Sequence, residues 1–386
     1  MDSFIRMSLK TTATVLNEGV PTKCDSFIVQ RGEVTILRLN DGPINGEKEG
    51  ERFTVDLAND LKAPIPFSTY CPSVKGEQAI DSGWLKSHNN NNPRWQCSGK
   101  KKSFGLVSSK ETESLHIELT KFDDRLNLNM VARYGEYMNL PTRAAAISAT
   151  QILTHKAALY LDVSPDEFEM LEPRLHLGKP ILQIADALIN GSGLCRRLAE
   201  PATADGLPLI VTLLHEILEE SNDWPMVDFL KKDHPTQCKT ACYKCIQRYG
   251  NRRYHGLLDW RLGMAYLRAM VMPEFACGLN AADWNQPEMK GWRERAFELA
   301  DDVEALRPGT IKLSKEHSLP VLIEIQDGKE LWRAAVTHPL WQCRDAERDA
   351  LIDSFRLAGG KSPLRFIDTF ELERRPLRAL ANLKRS

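Results

Sequence analysis

The feature that most constrains this chain is a cluster of three cysteines within eight residues, Cys238, Cys242 and Cys245. Cys242 and Cys245 form a C-x2-C pair, whose two thiolates can reach one ion at about 2.3 Å. Cys238 lies four residues upstream of Cys242, and His234 lies four residues upstream of Cys238. Soft thiolates and an imidazole select Zn²⁺ over hard cations. The H-x3-C-x3-C-x2-C spacing therefore predicts a closed, structural Cys3His zinc site.

Other interpretations of these cysteines stay open at the level of sequence. The three thiols can be buried, reduced and free of metal, or the C-x2-C pair can be a redox motif. They can also hold an iron–sulfur cluster, with Cys195 or Cys277 as a further ligand. The fourth zinc ligand is equally open. His234 has the matching spacing, and the alternatives are His255, Cys277, Cys195 and Cys97.

Charge is concentrated around the cysteines. Lys231–Arg268 holds nine cationic and two anionic residues, a balance of +7, although the whole chain has a net charge of −1. A basic surface with interleaved aromatic rings suits phosphate contacts and base stacking. The alternative is a solvated basic face that packs against acidic neighbours such as Glu219, Glu220 and Asp223. The predicted nucleic-acid-binding residues are Lys239, Lys244, Arg248, Arg252, Arg253, Tyr243, Tyr249 and Tyr254.

Length and composition indicate an ordinary folded protein. At about 100–200 residues per domain, 386 residues predict two or three domains with their own cores. The hydrophobic content of 42% and the balanced charge exclude disorder as the dominant state. No run approaches the roughly 18 apolar residues of a membrane span, and no secretory signal begins the chain. We therefore expect a cytoplasmic protein, without a membrane partner, whose cysteines stay reduced.

The order of sequence patterns predicts a mixed α+β or α/β fold in three parts. Residues 1–130 are β-rich, with a hairpin predicted over Asp25–Asn40 around Arg31 and Gly32. Residues 131–278 form a helical, cysteine-rich core that includes an amphipathic helix over Ala144–Leu161. Asn280–Gly291 is predicted as a linker. Residues 279–386 form a small α/β unit, with helices over Trp292–Leu306 and Ala346–Leu357 and with strands between and after them.

No complete catalytic motif occurs. Gly359–Ser362 (GGKS) lacks the earlier glycine of a Walker A loop and precedes a proline, and no DExH motif is present. The helix segment His215–Glu219 lacks the second histidine of a zinc-protease motif. Glu324 and Glu330, on neighbouring predicted strands, are a weak candidate for the metal-binding pair of a nuclease. The chain is therefore not expected to be an enzyme on its own.

The run Cys238–Trp260 (CKTACYKCIQRYGNRRYHGLLDW) resembles a cysteine-rich C-terminal domain of superfamily-two DNA helicases of the mitomycin-repair type. It is also similar to the helicase-partner subunit of DISARM antiphage systems and to Druantia-type helicases. The stretch Ile184–Leu198 resembles the D-x-L-x-x-G-x-G block that precedes the cysteines in that family. Helicase members often carry another cysteine where this chain has Thr236. The resemblance implies a structural zinc, contact with DNA and a position beside a helicase motor.

Two classes of function follow from these patterns. The first is a non-motor accessory subunit of a DNA helicase complex, in antiphage defence, with the superfamily-two motor on a separate chain. In this class the zinc-stabilised basic domain binds DNA and the helicase. The second class is a metal-dependent nuclease, and a purely structural scaffold subunit is a further alternative.

Overall fold

The computed structural model describes residues 7–43, 53–58, 68–70, 79–80, 97–130, 139–219, 223–231, 234–342 and 364–383. Within these ranges the chain has a β-rich N-terminal part and a helical core, so the predicted mixed α+β class is confirmed. The chain divides into two compact units. Unit 1 comprises Met1–Gly19, Gly32–Ser114 and Ala185–Gly193, and unit 2 comprises Val20–Arg31, Leu115–Ile184 and Leu194–Ser386. The three-part division at residues 130 and 278 stays a prediction.

The strands, in chain order, are β1 (Met7–Glu18), β2 (Thr22–Lys23), β3 (Phe27–Pro43), β4 (Phe53–Ala58), β5 (Ser68–Tyr70), β6 (Ala79–Ile80), β7 (Cys97–Leu119), β8 (Phe168–Met170), β9 (Arg174–His176), β10 (Lys179–Asp186), β11 (Ile311–Ser314), β12 (Val321–Gln326), β13 (Lys329–Thr337) and β14 (Leu364–Asp368). The α-helices are α1 (Leu140–Tyr160), α2 (Leu194–Ala199), α3 (Leu209–Leu218), α4 (Met226–Phe229), α5 (His234–Gln237), α6 (Trp260–Val271), α7 (Trp292–Leu306), α8 (Thr369–Arg374) and α9 (Pro376–Leu383).

Unit 1 is built on antiparallel strands. β1 pairs with the Gly32–Pro43 part of β3, with Thr12 opposite Leu37 and Val15 opposite Val34. The predicted hairpin over Asp25–Asn40 is therefore wrong. β3 continues without a turn through Arg31 and Gly32, and it pairs with the earlier strand β1. The valine, isoleucine and threonine residues on both sides of Gly32 have high β-propensity, which outweighs a single glycine.

The D-x-L-x-x-G-x-G block forms a tight loop in unit 1. The buried carboxylate of Asp186 accepts the backbone N–H groups of Ser192 and Gly193 at 2.7 and 2.8 Å. Thr112 donates its hydroxyl to the carbonyl oxygens of Asp186 and Leu188 at 3.0 and 2.8 Å. The loop has a structural role: in the turn, these two N–H groups have no backbone acceptor, and the carboxylate of Asp186 serves as their acceptor instead.

The core of unit 2 forms around α1 and α6. The central turns of α1, rich in alanine, are buried, and Gly263 of α6 faces Ser148 and Ile152 of α1. A Cβ atom at Gly263 would lie 2.8 Å from the Cβ atom of Ser148, so the close approach of the two helices requires glycine there. This packing fixes the start of α6, which follows directly on the cysteine-rich segment.

Asn280–Gly291 is not a linker. It forms two 3-10 helices, Ala281–Asn285 and Pro287–Met289, whose acidic side chains turn inward. Asp283 accepts the N–H groups of Ala276 and Gly278, both at 3.0 Å, and Glu288 forms a buried ion pair with Arg268 of α6. The Asn, Pro and Gly composition indicated a linker, but composition does not reveal these side-chain contacts, above all the buried pair of Glu288 with Arg268 on another helix.

The C-terminal part of unit 2 contains a sheet with strand order β11-β12-β13-β14, in which only β13 and β14 are parallel. Helix α7 matches the predicted bounds, whereas the predicted helix over Ala346–Leu357 and the GGKS sequence of Gly359–Ser362 lie outside the described residues. Glu324 is buried opposite Trp332, while Glu330 is exposed and pairs with Arg333 at 2.9 Å. This arrangement does not favour a shared metal site for the two carboxylates. Within the described ranges, no helix has both the length and the hydrophobicity needed to cross a bilayer.

Candidate metal centre

Short-range backbone hydrogen bonds bring the four predicted ligands together. His234 begins α5, and the N–H of Cys238 donates to the carbonyl of His234 at 2.8 Å, so the two residues are one helical turn apart. The N–H groups of Cys245 and Gln247 both donate to the carbonyl of Cys242 at 3.0 Å. This second bend is the tight knuckle that a C-x2-C pair needs in order to point both sulfurs one way.

The ligand atoms of His234, Cys238, Cys242 and Cys245 all lie within 4.8 Å of one another. The sulfurs of Cys238 and Cys245 are 3.8 Å apart, and the Cys242 sulfur is 3.6 Å from Nε2 of His234. A tetrahedral ion with bonds of about 2.3 Å to sulfur separates two sulfurs by about 3.8 Å. The four side chains therefore have the spacing to hold a single metal ion.

The imidazole of His234 is oriented for coordination. Its Nδ1 lies 3.2 Å from the carbonyl oxygen of Phe229, so Nδ1–H donates there and Nε2 offers its lone pair toward the sulfurs. A hydrogen bond from the second ring nitrogen of this kind fixes the tautomer of metal-binding histidines. The ring packs against the neighbouring aromatic rings of Phe229 and Trp260, with centroid distances of 6.0 and 5.8 Å.

Cys238 and Cys245 share a hydrogen bond that shifts their pKa values in opposite directions. The hydrogen bond from Cys238 lowers the pKa of Cys245 to about 5. That same hydrogen bond, together with burial, raises the pKa of Cys238. Two thiols this close cannot both lose their protons in a site from which water is largely excluded, unless a cation lies between them.

Arg261 holds the loop between the ligands in place. Its guanidinium donates to the carbonyls of Pro235 at 3.2 Å and Lys239 at 3.3 Å, and it lies over the ring of Trp260 at 4.3 Å. The N–H of Trp260 in turn donates to the carbonyl of Thr240 at 2.9 Å. Sequence reasoning counted Arg261 as part of a basic stretch and missed this role, because its partners are backbone atoms.

The alternative fourth ligands are engaged elsewhere or buried apart from the cluster. Nε2 of His255 lies 3.0 Å from both the carbonyl of Arg248 and Oδ1 of Asn251. Cys195 lies against the carbonyl of Ile184, and burial raises the pKa of Cys277 well above its usual value. The side chain of Cys97 lies outside the described residues. Of the candidates with described side chains, only His234 joins the three cysteines.

Most of the predicted nucleic-acid-binding residues are exposed, and they lie within and just after the segment of the chain that carries the four candidate ligands. Tyr243 and Tyr249 are 67% and 75% exposed, and the guanidinium of Arg252 lies 4.6 Å from the ring centre of Tyr249. We call this surface the basic–aromatic surface. Its exposed members are Lys239, Tyr243, Lys244, Tyr249, Arg252 and Arg253.

Two predicted members do not belong to that surface. Tyr254 is only 4% exposed, with burial raising its pKa, so its ring offers no face to a base. Arg248 is half-buried against the imidazole of His155, which itself stacks on Trp224 at 4.1 Å. The alternation of tyrosine and arginine in the sequence does not show which of these residues face inward and which face solvent. The segment is a 3-10 helix, so the spacing of an amphipathic α-helix does not apply to it.

Asn251 is a residue whose role sequence reasoning missed. It is buried in the 3-10 helix Tyr249–Tyr254, where its Oδ1 accepts the N–H of Arg248 and its Nδ2 donates to the carbonyl of Ile246, both at 2.8 Å. These bonds tie the segment that carries Tyr249 and Arg252 back to the C-x2-C knuckle. The Y-x-N-x-x-x-H part of the motif was the available signal for this role.

No protein-family model matches the chain, and no curated protein matches its sequence. A search of solved structures found a crystal structure of the DUF1998 helicase MrfA bound to DNA, with a TM-score of 0.33 and 11% sequence identity. The match covers 66% of this chain and 25% of that helicase, so the chain spans about a quarter of its structural neighbour. A likeness this distant does not establish a shared fold.

Proposed function

We propose that this chain is a zinc-stabilised, non-motor accessory subunit of a DNA helicase complex, in which the basic–aromatic surface contacts DNA. The proposal depends mainly on one observation: exposed tyrosine and arginine side chains follow closely in the chain on four converging metal-ligand candidates, and Asn251 ties their segment to the C-x2-C knuckle. Exposed rings and cations in one patch suit stacking on bases and contact with phosphates.

Zinc is the metal that the ligand set supports best. Three thiolates and one imidazole suit Zn²⁺, and a closed tetrahedral shell leaves no open position for a reacting water. His234, Cys238, Cys242 and Cys245 would hold the ion. The ion would contribute folding energy to the segment that carries the surface, because only the folded arrangement brings its four ligands together.

The helicase partner follows from the sequence resemblance. The similar domain belongs to superfamily-two helicases, whereas no Walker A or DExH motif occurs in this sequence. We therefore propose that the motor is a separate chain and that the complex acts in the cytoplasm. The antiphage setting, of the DISARM or Druantia type, depends on the sequence resemblance alone.

The test is DNA binding by fluorescence anisotropy at several salt concentrations. We expect the double variant Arg252→Glu/Arg253→Glu to lose affinity by about tenfold or more at low salt, and the salt dependence to fall by roughly one counterion per lost phosphate contact. Lys312→Glu is the matched control, because Lys312 is exposed on β11, away from this segment.

The alternatives are outcomes of the same experiment. A scaffold subunit would show no DNA binding by the unmodified chain, or the same affinity in the charge-reversed variant. A nuclease would cleave DNA in the presence of Mg²⁺ and lose cleavage with Glu324→Ala. Either result would overturn the proposal.

A further inference from the structure

A cleft of about 350 Å³ lies in unit 2, between the segment that carries Pro235 and Lys239 and the start of α7. Its walls include apolar side chains, and its polar lining includes Lys239, Arg261, Lys290, Arg295 and His338. Concave sites of this size can take a small ligand, and charged side chains of both signs line much of this one. The basic–aromatic surface shares only Lys239 with this cleft.

The N-terminus of α7 opens into the cleft without a side-chain cap. Gly291 is its N-cap, with φ of 76° and no capping hydrogen bond, and Gly291, Trp292, Glu294 and Arg295 all line the cleft. The first N–H groups of a helix have no partner within the helix, and its dipole favours a negative charge there. A Cβ atom at Gly291 would meet no atom within 4 Å, so the space in front of this terminus is open.

A buried histidine supplies an independent sign of a ligand. His338 is 4% exposed and lines the cleft, and its Nδ1 accepts the N–H of Leu340 at 3.2 Å. Burial lowers the pKa of His338 to about 3, so the ring is neutral. Because Nδ1 accepts a hydrogen bond, the hydrogen of the neutral ring is on Nε2. Among the residues that the structure describes, this Nε2–H has no hydrogen-bond partner, and an unused donor at such a position calls for an acceptor.

Most carboxylates of the cleft are already compensated by cations. Glu288 pairs with Arg268, and Arg295 pairs with both Glu298 and Glu373. Asp259 lies 3.7 Å from Arg374. Glu294 and Glu298 are exposed carboxylates of this lining, and Lys239 and Lys290 are exposed as well.

We infer that this cleft binds a phosphate monoester that carries a flat apolar group, which is the chemistry of a nucleotide. The phosphate would lie at the N-terminus of α7, near Lys290 and Lys239. The base would enter the cleft against the wall that includes Trp292 and Phe370, with an acceptor atom toward Nε2 of His338. The source is either a free nucleotide or the phosphorylated end of a strand, and this site is separate from the basic–aromatic surface.

The test is isothermal titration of the full chain with thymidine monophosphate, the other three deoxynucleoside monophosphates and inorganic phosphate. We expect at least one nucleotide to bind about tenfold more tightly than phosphate, because the base adds apolar contact. Lys290→Glu should weaken nucleotide binding by about tenfold, whereas Glu294→Gln should strengthen it by a few-fold, since it removes a like charge. Lys312→Glu, outside the cleft, should change neither value.

Short oligonucleotides with a 5′-phosphate or a 5′-hydroxyl distinguish the sources. If the phosphorylated form binds more tightly, and this preference is lost in Lys290→Glu but kept in Arg252→Glu/Arg253→Glu, the cleft binds the ends of strands. Binding of mononucleotides alone assigns it to free nucleotides. The inference is overturned if no nucleotide binds, if phosphate binds equally well, or if Glu294→Gln and Lys290→Glu leave nucleotide affinity unchanged. None of these results depends on whether the basic–aromatic surface binds DNA.

Discussion

The ion pair between Arg268 and Glu288 gives the sharpest test of how unit 2 is held together. The two side chains are 4% and 1% exposed, and Nη2 of Arg268 donates to Oε2 of Glu288 at 3.1 Å in addition to a contact between Nε and Oε1. Glu288→Gln leaves the arginine in the same buried place without its countercharge. Breaking a buried pair in this way costs about 3–5 kcal/mol, because the remaining ion is neither hydrated nor compensated.

Chemical denaturation at pH 7 measures this loss in the free energy of unfolding. The matched control is Glu200→Gln, which breaks the exposed pair with Arg197 and should cost under about 1 kcal/mol. Arg268→Met with Glu288→Leu should recover most of the stability, because apolar side chains of similar volume replace the pair. A loss below about 1 kcal/mol for Glu288→Gln would refute the reasoning and imply that water reaches the pair.

Three further predictions concern stability, each measured by chemical denaturation. Gly278→Ala should cost at least about 1 kcal/mol more than Gly309→Ala, because both positions have positive φ but only at Gly278 does a Cβ atom meet a side chain, that of Trp284 at 2.6 Å; equal losses would contradict this. Asp186→Asn should cost about 1–3 kcal/mol, since its buried carboxylate accepts two backbone N–H groups; an unchanged midpoint would contradict the loop assignment. Burial lowers the pKa of His338 to about 3, below its unfolded value of about 6.5. The unfolded state therefore binds the proton first, so the contribution of His338 is complete above about pH 6.5 and is lost by about 1.4 kcal/mol per pH unit as pH falls toward 3, and His338→Phe should remove this dependence; the same slope in the variant would contradict it.

Local patterns were sufficient to predict the cluster of four candidate metal ligands and the long helices. The spacing from His234 to Cys245 is set by one helical turn and one C-x2-C knuckle, both of which are short-range structures. Helix α7 has the predicted bounds because its apolar residues repeat at helical spacing over four turns. These features depend on residues close together in the chain.

The errors occurred where distant partners decide the structure. The predicted linker is packed because Glu288 meets Arg268 across the core, a contact that composition does not indicate. The +7 balance of Lys231–Arg268 overstates the surface charge for the same reason, since Arg248, Arg261 and Arg268 turn toward protein partners. The inward position of Tyr254 also depends on tertiary packing.

Elemental analysis of the purified full chain tests whether the four clustered side chains hold a metal ion. We expect one zinc ion per chain, lost in Cys245→Ser and kept in Cys195→Ser, because Cys245 belongs to the ligand cluster and Cys195 does not. A chain purified without chelator that contains no metal would contradict the account. So would an unchanged zinc content in Cys245→Ser.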